Sequence, residues 1–441
     1  MREMKDSGIE WIGEIPKDWK RTSLLNLLRC KISDGPHETP SLIDEGIPFI
    51  SVDSLGENQN IDFSKVKRFI SEEDYIEYNK KANLEKGDIL FSKAATIGKT
   101  AIVRDEKFMV WSPLAIIKAD EKICNNKYIY YLLNCEQLIK YVSLLGGYNT
   151  QINVGMRTLE KAFVPFPNIE EQNKIANFLD DKYVKIDRML AKEQDEIEKL
   201  KEYKQSIITE TVTKGIRKNI SVKKINTEWI HEIPSSWKIS KLKYIFKFGK
   251  GLPITKEDLK EEGVPVISYG QVHSKENTGI SISNDLIRYV DTEFKDNYPN
   301  CIVKKGEFIF ADTSEDLDGC GNAVYNNQND LLLAGYHSII FKSKFSDNRY
   351  FAYLFQTDCW RSQIRCRTTG IKLFSITQKI LKEVSICIPP KEEQREIANY
   401  LDTKCKKIEL MIKEKNKKID KLKMYQKSLI YECVTGKKEV F

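Results

Sequence analysis

A chain of 441 residues exceeds the size at which one hydrophobic core usually stops growing, so two or more domains are expected. Apolar residues at 41% and aromatics at 10% can fill such cores. The opening MREMKDSGIEWIG lacks an apolar signal region and no run of eighteen uncharged apolar residues occurs, which argues against a membrane span and for the cytoplasm. Ten scattered cysteines without a Cys-x-x-Cys pair, and four histidines none spaced i,i+4, speak against a metal site and for reduced, packing thiols. A net charge of +7 is a mild lean toward a polyanion that needs support from elsewhere.

In chain order, the first phrase to stand out is EWIGEIPKDWK from Glu10, repeated as EWIHEIPSSWK from Glu228 with eight of eleven positions identical. The proline excludes a helix interior and pushes Ile15 or Ile233 toward an extended backbone, so each copy reads as an extended segment pinned by two tryptophans and as the mark of a duplication. Short β-like runs follow, EGIPFIS from Glu45 and KGDILFS from Lys86, with a helical stretch NKYIYYLLNCEQLIKYV from Asn126. After the second tryptophan phrase come EGVPVIS from Glu262, KGEFIFA from Lys305 and LLLAGYHSIIF. This is an α+β pattern written twice. The matching phrases are scaffold; SDGPHETP (33–40) has no visible counterpart in FGKGLPITK (248–256), so two related heads are expected to read different things.

Each head leads into a longer, closer repeat. EEQNKIANFLDDKYVKID from Glu170 pairs with EEQREIANYLDTKCKKIE from Glu392, and KLKEYKQSIITETVT from Lys199 with KLKMYQKSLIYECVT from Lys421. A proline and acidic residues open each, as helix starts favour. A seven-residue register places Tyr183, Leu190, Ile197, Lys204 and Thr211 at a and Leu179, Ile186, Glu193, Leu200 and Ile207 at d in the first copy. The second has Cys405, Ile412, Ile419, Gln426 and Cys433 at a, with Leu401, Ile408, Lys415, Leu422 and Leu429 at d. Each helix wants one long partner along one seam, and the obvious partner is the other copy, packed antiparallel about a pseudo-twofold axis. The equivalent residues Glu193 and Lys415 then approach near the helix middles, where they are expected to pair. The reading gives a first head at 1–165, a first long helix at 166–214, a second head at 215–388, a second long helix at 389–433 and a tail at 434–441.

No catalytic constellation emerges. The turn AATIGKTA around Lys99 has Lys93 where a phosphate-binding loop needs glycine, IPPKEE lacks the flanks of an amino-methyltransferase motif, and none of the thirteen prolines precedes aspartate as a nuclease motif would require. Polar residues on loops favour DNA binding instead. In the first head these are Lys31, Asp34, His37, Thr39, Lys93 and Lys99; in the second, Lys247, Lys250, Lys256, Tyr269, Gln271, His273, Lys275, Arg361, Arg365 and Arg367.

The two tryptophan phrases, SDGPHETP with EGIPFIS, ISYGQVHSK, and above all VPFPNIEEQNKIANFLD and ICIPPKEEQREIANYLD leading into KQSIITETVTKG and QKSLIYECVTGKK, resemble the specificity subunit of a type I restriction-modification system over essentially the whole chain. The resemblance implies two target recognition domains, each reading one part of a split double-stranded DNA sequence, and paired helices acting as a ruler and as docking sites for two methyltransferase subunits. It implies no catalysis and no cofactor in this chain: S-adenosylmethionine would come with the methyltransferase subunits, and ATP with Mg through restriction subunits that join by way of them. A coiled-coil scaffold with two protein-binding heads is the alternative, and would bind DNA without sequence preference.

Overall fold

A computed structural model describes every residue except Met1, Thr39, 57–58, 146–152, 218–219, Glu228 and 329–330. It divides into two compact units, Met1–Gln194 with Asn416–Phe441, and Asp195–Lys415. Where the sequence reading draws head and helix as separate segments, each compact unit groups one head with the ends of both helices, because the heads bury their cores against those ends.

The first unit closes its head by pairing Lys20–Ser23 with Phe163–Phe166, antiparallel. Inside lies a four-stranded antiparallel sheet in the order Ser33–Asp34, Leu114–Ile117, Ile89–Ser92, Thr100–Ile102. Beside it is a three-stranded sheet of Phe69–Ile70, Ile47–Ile50 and Met109–Val110, the last two parallel. The second unit repeats this strand for strand. Lys238–Lys241 pairs with Ser385–Ile388, and the larger sheet runs Lys247–Lys250, Ser338–Lys342, Phe308–Ala311, Ala323–Tyr325. Its smaller sheet is Arg288–Val290, Val264–Ile267, Leu333–Ala334, again with a parallel last pair.

The central strands of the larger sheet are buried on both faces, which is why Ile89–Ser92, Leu114–Ile117, Phe308–Ala311 and Ser338–Lys342 read as nearly continuous apolar runs. Successive side chains alternate between two cores. Ile89, Phe91, Ala115 and Ile117 join the core shared with the helices, while Leu90, Ala101, Leu114 and Ile116 join an outer core with the smaller sheet. In the second unit Phe308, Phe310, Ile339 and Phe341 take the first role, and Ile309, Ala311, Val324 and Ile340 the second. The predicted helix from Asn126 breaks into Asn126–Leu133 and Glu136–Leu145, because the Asn134 side chain turns back to donate to the Tyr130 carbonyl at 2.7 Å.

The two long helices are Ile169–Lys214 and Lys391–Val434. The seven-residue register is written in their burial: from Lys406 to Ser428 the second helix leaves everything exposed except Ile408, Ile412, Lys415, Ile419, Leu422 and Gln426. Both units show the antiparallel sense. Ile175 and Leu179 share a core with Leu429, Ile430, Cys433 and Val434, and Ile207 and Val212 share one with Ile397, Leu401 and Cys405. Polar a and d residues are matched by charge inside each unit. Buried Glu193 accepts from Lys418 in the first unit, and in the second Lys415 donates to Glu196 while Lys204 meets Glu409 at 2.6 Å.

The repeated phrases turn out to be the lock between head and helices. The indole N–H of fully buried Trp19 donates to Glu171 of EEQ at 2.8 Å. Gly436, with φ of +71° just past the second helix, lies against the same ring: a Cβ there would stand 2.4 Å from Pro16 and 3.1 Å from Trp19. In the second unit Gly215, φ +79°, lies against Trp237, where a Cβ would stand 3.3 Å from the ring and 3.1 Å from Glu393. The Gln of each EEQ turns its amide onto the proline before the helix, Gln172 to the Pro167 carbonyl at 2.9 Å and Gln394 to that of Pro389 at 2.8 Å. Each head is thus held between the start of one long helix and the finish of the other.

Candidate nucleic-acid interface

In the first head the polar loop residues gather where the strand Ser33–Asp34 ends. Gly35 is required there, since a Cβ would lie 2.0 Å from the Val110 carbonyl oxygen. The Asp34 carboxylate then meets Lys93 Nζ at 2.7 Å and His37 Nε2 at 3.1 Å. Asp34 and Lys93 are each 12% exposed, whereas the His37 side chain is 73% exposed and caps the cluster on the solvent side. Lys93 leads a tight turn in which Ala95 takes φ of +62° and the Ser92 hydroxyl accepts from the Lys99 N–H at 2.8 Å. The Lys99 ammonium has no ion pair among the described residues. Lys31 is exposed just upstream, and Thr39 lies outside the described residues.

The second head builds the same place from other chemistry. Asp34 stands opposite Ala115, itself opposite Phe91; Lys250 stands opposite Ile339, itself opposite Phe310. Lys250 therefore occupies the position of Asp34, and Gly251 that of Gly35, with its own Cβ space taken by the Gly335 carbonyl oxygen at 1.9 Å. One residue beyond the next strand, Asp312 occupies the position of Lys93. SDGP does have a counterpart in GKGL after all: the shared requirement is one glycine, too little identity to see in sequence.

Lys250, Asp312, His337 and Thr377 line a cleft of about 640 Å³. Asp312 meets His337 Nδ1 at 3.2 Å, and the ring of Tyr269 lies 5.6 Å from those of both His337 and Tyr336. Tyr269 and Gln271 sit on the short helix Tyr269–Val272, which His273 follows. His273 Nε2 is 2.8 Å from the Thr313 carbonyl, and Gln271 uses its side-chain oxygen to accept from the Ser268 N–H at 3.1 Å. Lys256 starts a turn capped by Thr255, and Lys275 is exposed.

Several candidates are not brought together. Lys247 and Lys250 are three apart on one strand, so they point to opposite faces. The arginines of RSQIRCR are engaged by backbone. Arg361 donates to the Asp318 carbonyl at 2.9 Å, Arg365 to that of Leu317 at 3.0 Å, and Arg367 to that of Gln363 at 2.6 Å. Burial and the neighbouring Arg365 lower the Arg361 pKa, the mark of a guanidinium built into the loop rather than held out to a partner. The expected pair Glu193 and Lys415 is a separate case: the two residues fall in different units, and within its own unit each also has an oppositely charged neighbour, Lys418 for Glu193 and Glu196 for Lys415. Sequence reasoning missed Asp312, His337 and Tyr336. The signal for Asp312 was present, because aligning KGDILFSK with KGEFIFAD sets it against Lys93.

Burial holds the thiols of Cys124, Cys387 and Cys433 at about 12, which suits packing residues and not nucleophiles at those three positions. No helix among the described residues is long and apolar enough to cross a membrane.

A family model described as the type I restriction modification DNA specificity domain matches residues 18–199 and again 234–421, one match for each head with its following helix. The type I restriction enzyme MjaVIII specificity subunit of Methanocaldococcus jannaschii is 23% identical over 435 residues, covering 96% of this chain and 93% of the relative. The putative MjaX specificity subunit of the same organism is 26% identical over 445 residues, covering 97% and 95%. Among solved structures, a chain from work on complex assembly and conformational transition of the type I R-M system shares the fold with a TM-score of 0.70 at 13% identity, over 95% of this chain and 98% of that one. With two copies of the domain on two heads of one topology, the chain belongs to the type I restriction-modification DNA specificity family and is a DNA-recognising specificity subunit.

Proposed function

We propose that this chain reads an asymmetric, bipartite double-stranded DNA target, one part with each head, and does no chemistry itself. The observation that carries the reading is the contrast at one sheet position: on identical strand topology and around the same glycine, the first head sets Asp34 against Lys93 and the second sets Lys250 beside Asp312 and His337. A shared scaffold with divergent polar chemistry at one place suits two readers of two different sequences. The paired helices hold the heads at a fixed separation and dock two methyltransferase subunits, through which restriction subunits join. S-adenosylmethionine and ATP with Mg belong to those partners, and the cytoplasm is where such a complex would meet DNA.

The test is to incubate the chain and its partner methyltransferase with DNA and map the methylated adenines. Two unrelated half-sites separated by a fixed gap of unspecified bases are expected. A single contiguous motif, or methylation without sequence preference as a protein-binding scaffold would give, overturns the reading.

A further inference from the structure

We propose that His337, held by Asp312, is a base-reading side chain of the second head, and that the pair determines part of that head's specificity. The inference rests on the DNA-recognition reading above.

The backbone is the first observation. His337 takes φ of +52°, one of four non-glycine residues with positive φ among those described. Asn83, another of the four, ends the helix Glu72–Ala82 as its cap, a standard use of that conformation. His337 caps nothing. It stands between the strands Leu333–Ala334 and Ser338–Lys342, held in place by its carbonyl accepting from the Asp312 N–H at 3.1 Å and by the Ser338 hydroxyl donating to the Gly335 carbonyl at 2.6 Å. A strained residue maintained by its surroundings is a candidate for function when its side chain serves no core, and the His337 side chain is 58% exposed.

The side chain supplies the second observation. A carboxylate can only accept, so the bond to Asp312 fixes the proton on Nδ1 and leaves Nε2 as the working atom. Nε2 has no hydrogen bond among the described residues. Its ring is steadied by Tyr269 at 5.6 Å and Tyr336 at 6.0 Å, and Lys250, suited to a phosphate, lines the same cleft. As a neutral acceptor Nε2 matches the exocyclic amino group of adenine or cytosine; as a protonated donor it matches N7 or O6 of a purine.

The third observation comes from the other head. There Lys93 donates its N–H to the Pro113 carbonyl at 2.9 Å, the same backbone bond that Asp312 makes to His337. Scaffold and hydrogen bond are kept while both side chains change, from Lys and Pro to Asp and His. Positions that set specificity should differ between the heads in this way, whereas positions that hold the fold should agree.

The experiment selects binding sequences from random double-stranded DNA with the full chain and its methyltransferase partner, in parental, His337→Asn and Asp312→Asn forms. Asparagine tolerates the left-handed backbone but does not reach as far as the ring, and the Asp312 change is nearly isosteric. Each variant should lose about tenfold in discrimination at one or two adjacent base pairs of one half-site. The other half-site and the thermal midpoint should be unchanged, which a merely structural role would not produce. Parental preference at every position, or uniform weakening on all sequences, overturns the inference. Should His337→Asn fail to fold, Asp312→Asn carries the same prediction. A parental chain that selects no half-sites removes both the DNA reading and the inference; one that selects two while folded variants select the same two removes the inference alone.

Discussion

Equivalent residues in the two heads are not energetically equivalent. Trp19 donates its indole N–H to Glu171 at 2.8 Å, while the N–H of Trp237 is buried without a hydrogen-bond partner among the described residues. Both changes to Phe leave a cavity, but only Trp19→Phe also loses a hydrogen bond to a charged group, so it should cost about 1.5–3 kcal/mol more than Trp237→Phe. Equal losses in urea unfolding would contradict this. The lysines of the second head divide in the same manner. Lys250 lines the cleft with Asp312 and His337, and Lys247 points from the opposite face of the strand. Lys250→Ala should weaken DNA binding and reduce the slope of log affinity against log salt by about one, with Lys247→Ala changing neither. Binding measured over a range of salt concentrations decides between them. These divisions were hidden in the sequence, where Lys247 and Lys250 look like two copies of one exposed charge; only strand alternation separates them.

Among the elements, the long helices were the most legible, because a seven-residue period is a local signal repeated many times and needs no knowledge of the heads. The strands from Ile89 and Phe308 were legible as strands, but not their neighbours: Asp34 and Lys250 correspond through sheet register, and register leaves almost no identity behind beyond Gly35 and Gly251. The EEQ and tryptophan phrases were legible as a repeat, but their work in joining head to helix was not, since it depends on contacts such as that of Trp19 with Glu171, 152 residues away in the chain. The same junction carries a pH dependence. Burial raises the pKa of Asp180 on the first long helix, but Lys127, Tyr131 and Gln59 of the head more than offset it and leave the carboxyl below its usual range. A carboxyl depressed in the folded state contributes stability that is full above the unfolded value, about 4, and is lost as pH falls below it. Asp180→Asn should accordingly flatten the acid side of the stability profile, with thermal midpoints of variant and parent converging between about pH 7 and about pH 3. A parallel offset at all pH values would show that the junction does not titrate.

At the scale of the whole molecule, the proposed reading makes the helices a ruler, and that is open to test. Seven residues inserted at the middle of both helices preserve the seam and lengthen each by ~10 Å, about three base pairs at ~3.4 Å, while three base pairs rotate the groove by ~100°. The variant should stay folded and keep both half-site preferences, yet lose tight binding to the original target and accept a longer gap only weakly. Selection that returns the parental gap would exclude the ruler. The division into units has a consequence of another kind, in the order of synthesis. Asp195–Lys415 is one continuous stretch, but the first head is completed by Asn416–Phe441, whose Leu429, Ile430, Cys433 and Val434 cover Ile175 and Leu179. A ribosome making 5–20 residues per second needs on the order of ten seconds or more to pass from one part of that unit to the other. In that interval the head that emerges first holds an uncovered apolar face, while the head that emerges second has all its residues at hand. A chain cut short before Asn416 would keep that face bare and be a ready substrate for proteases, even with its second head complete.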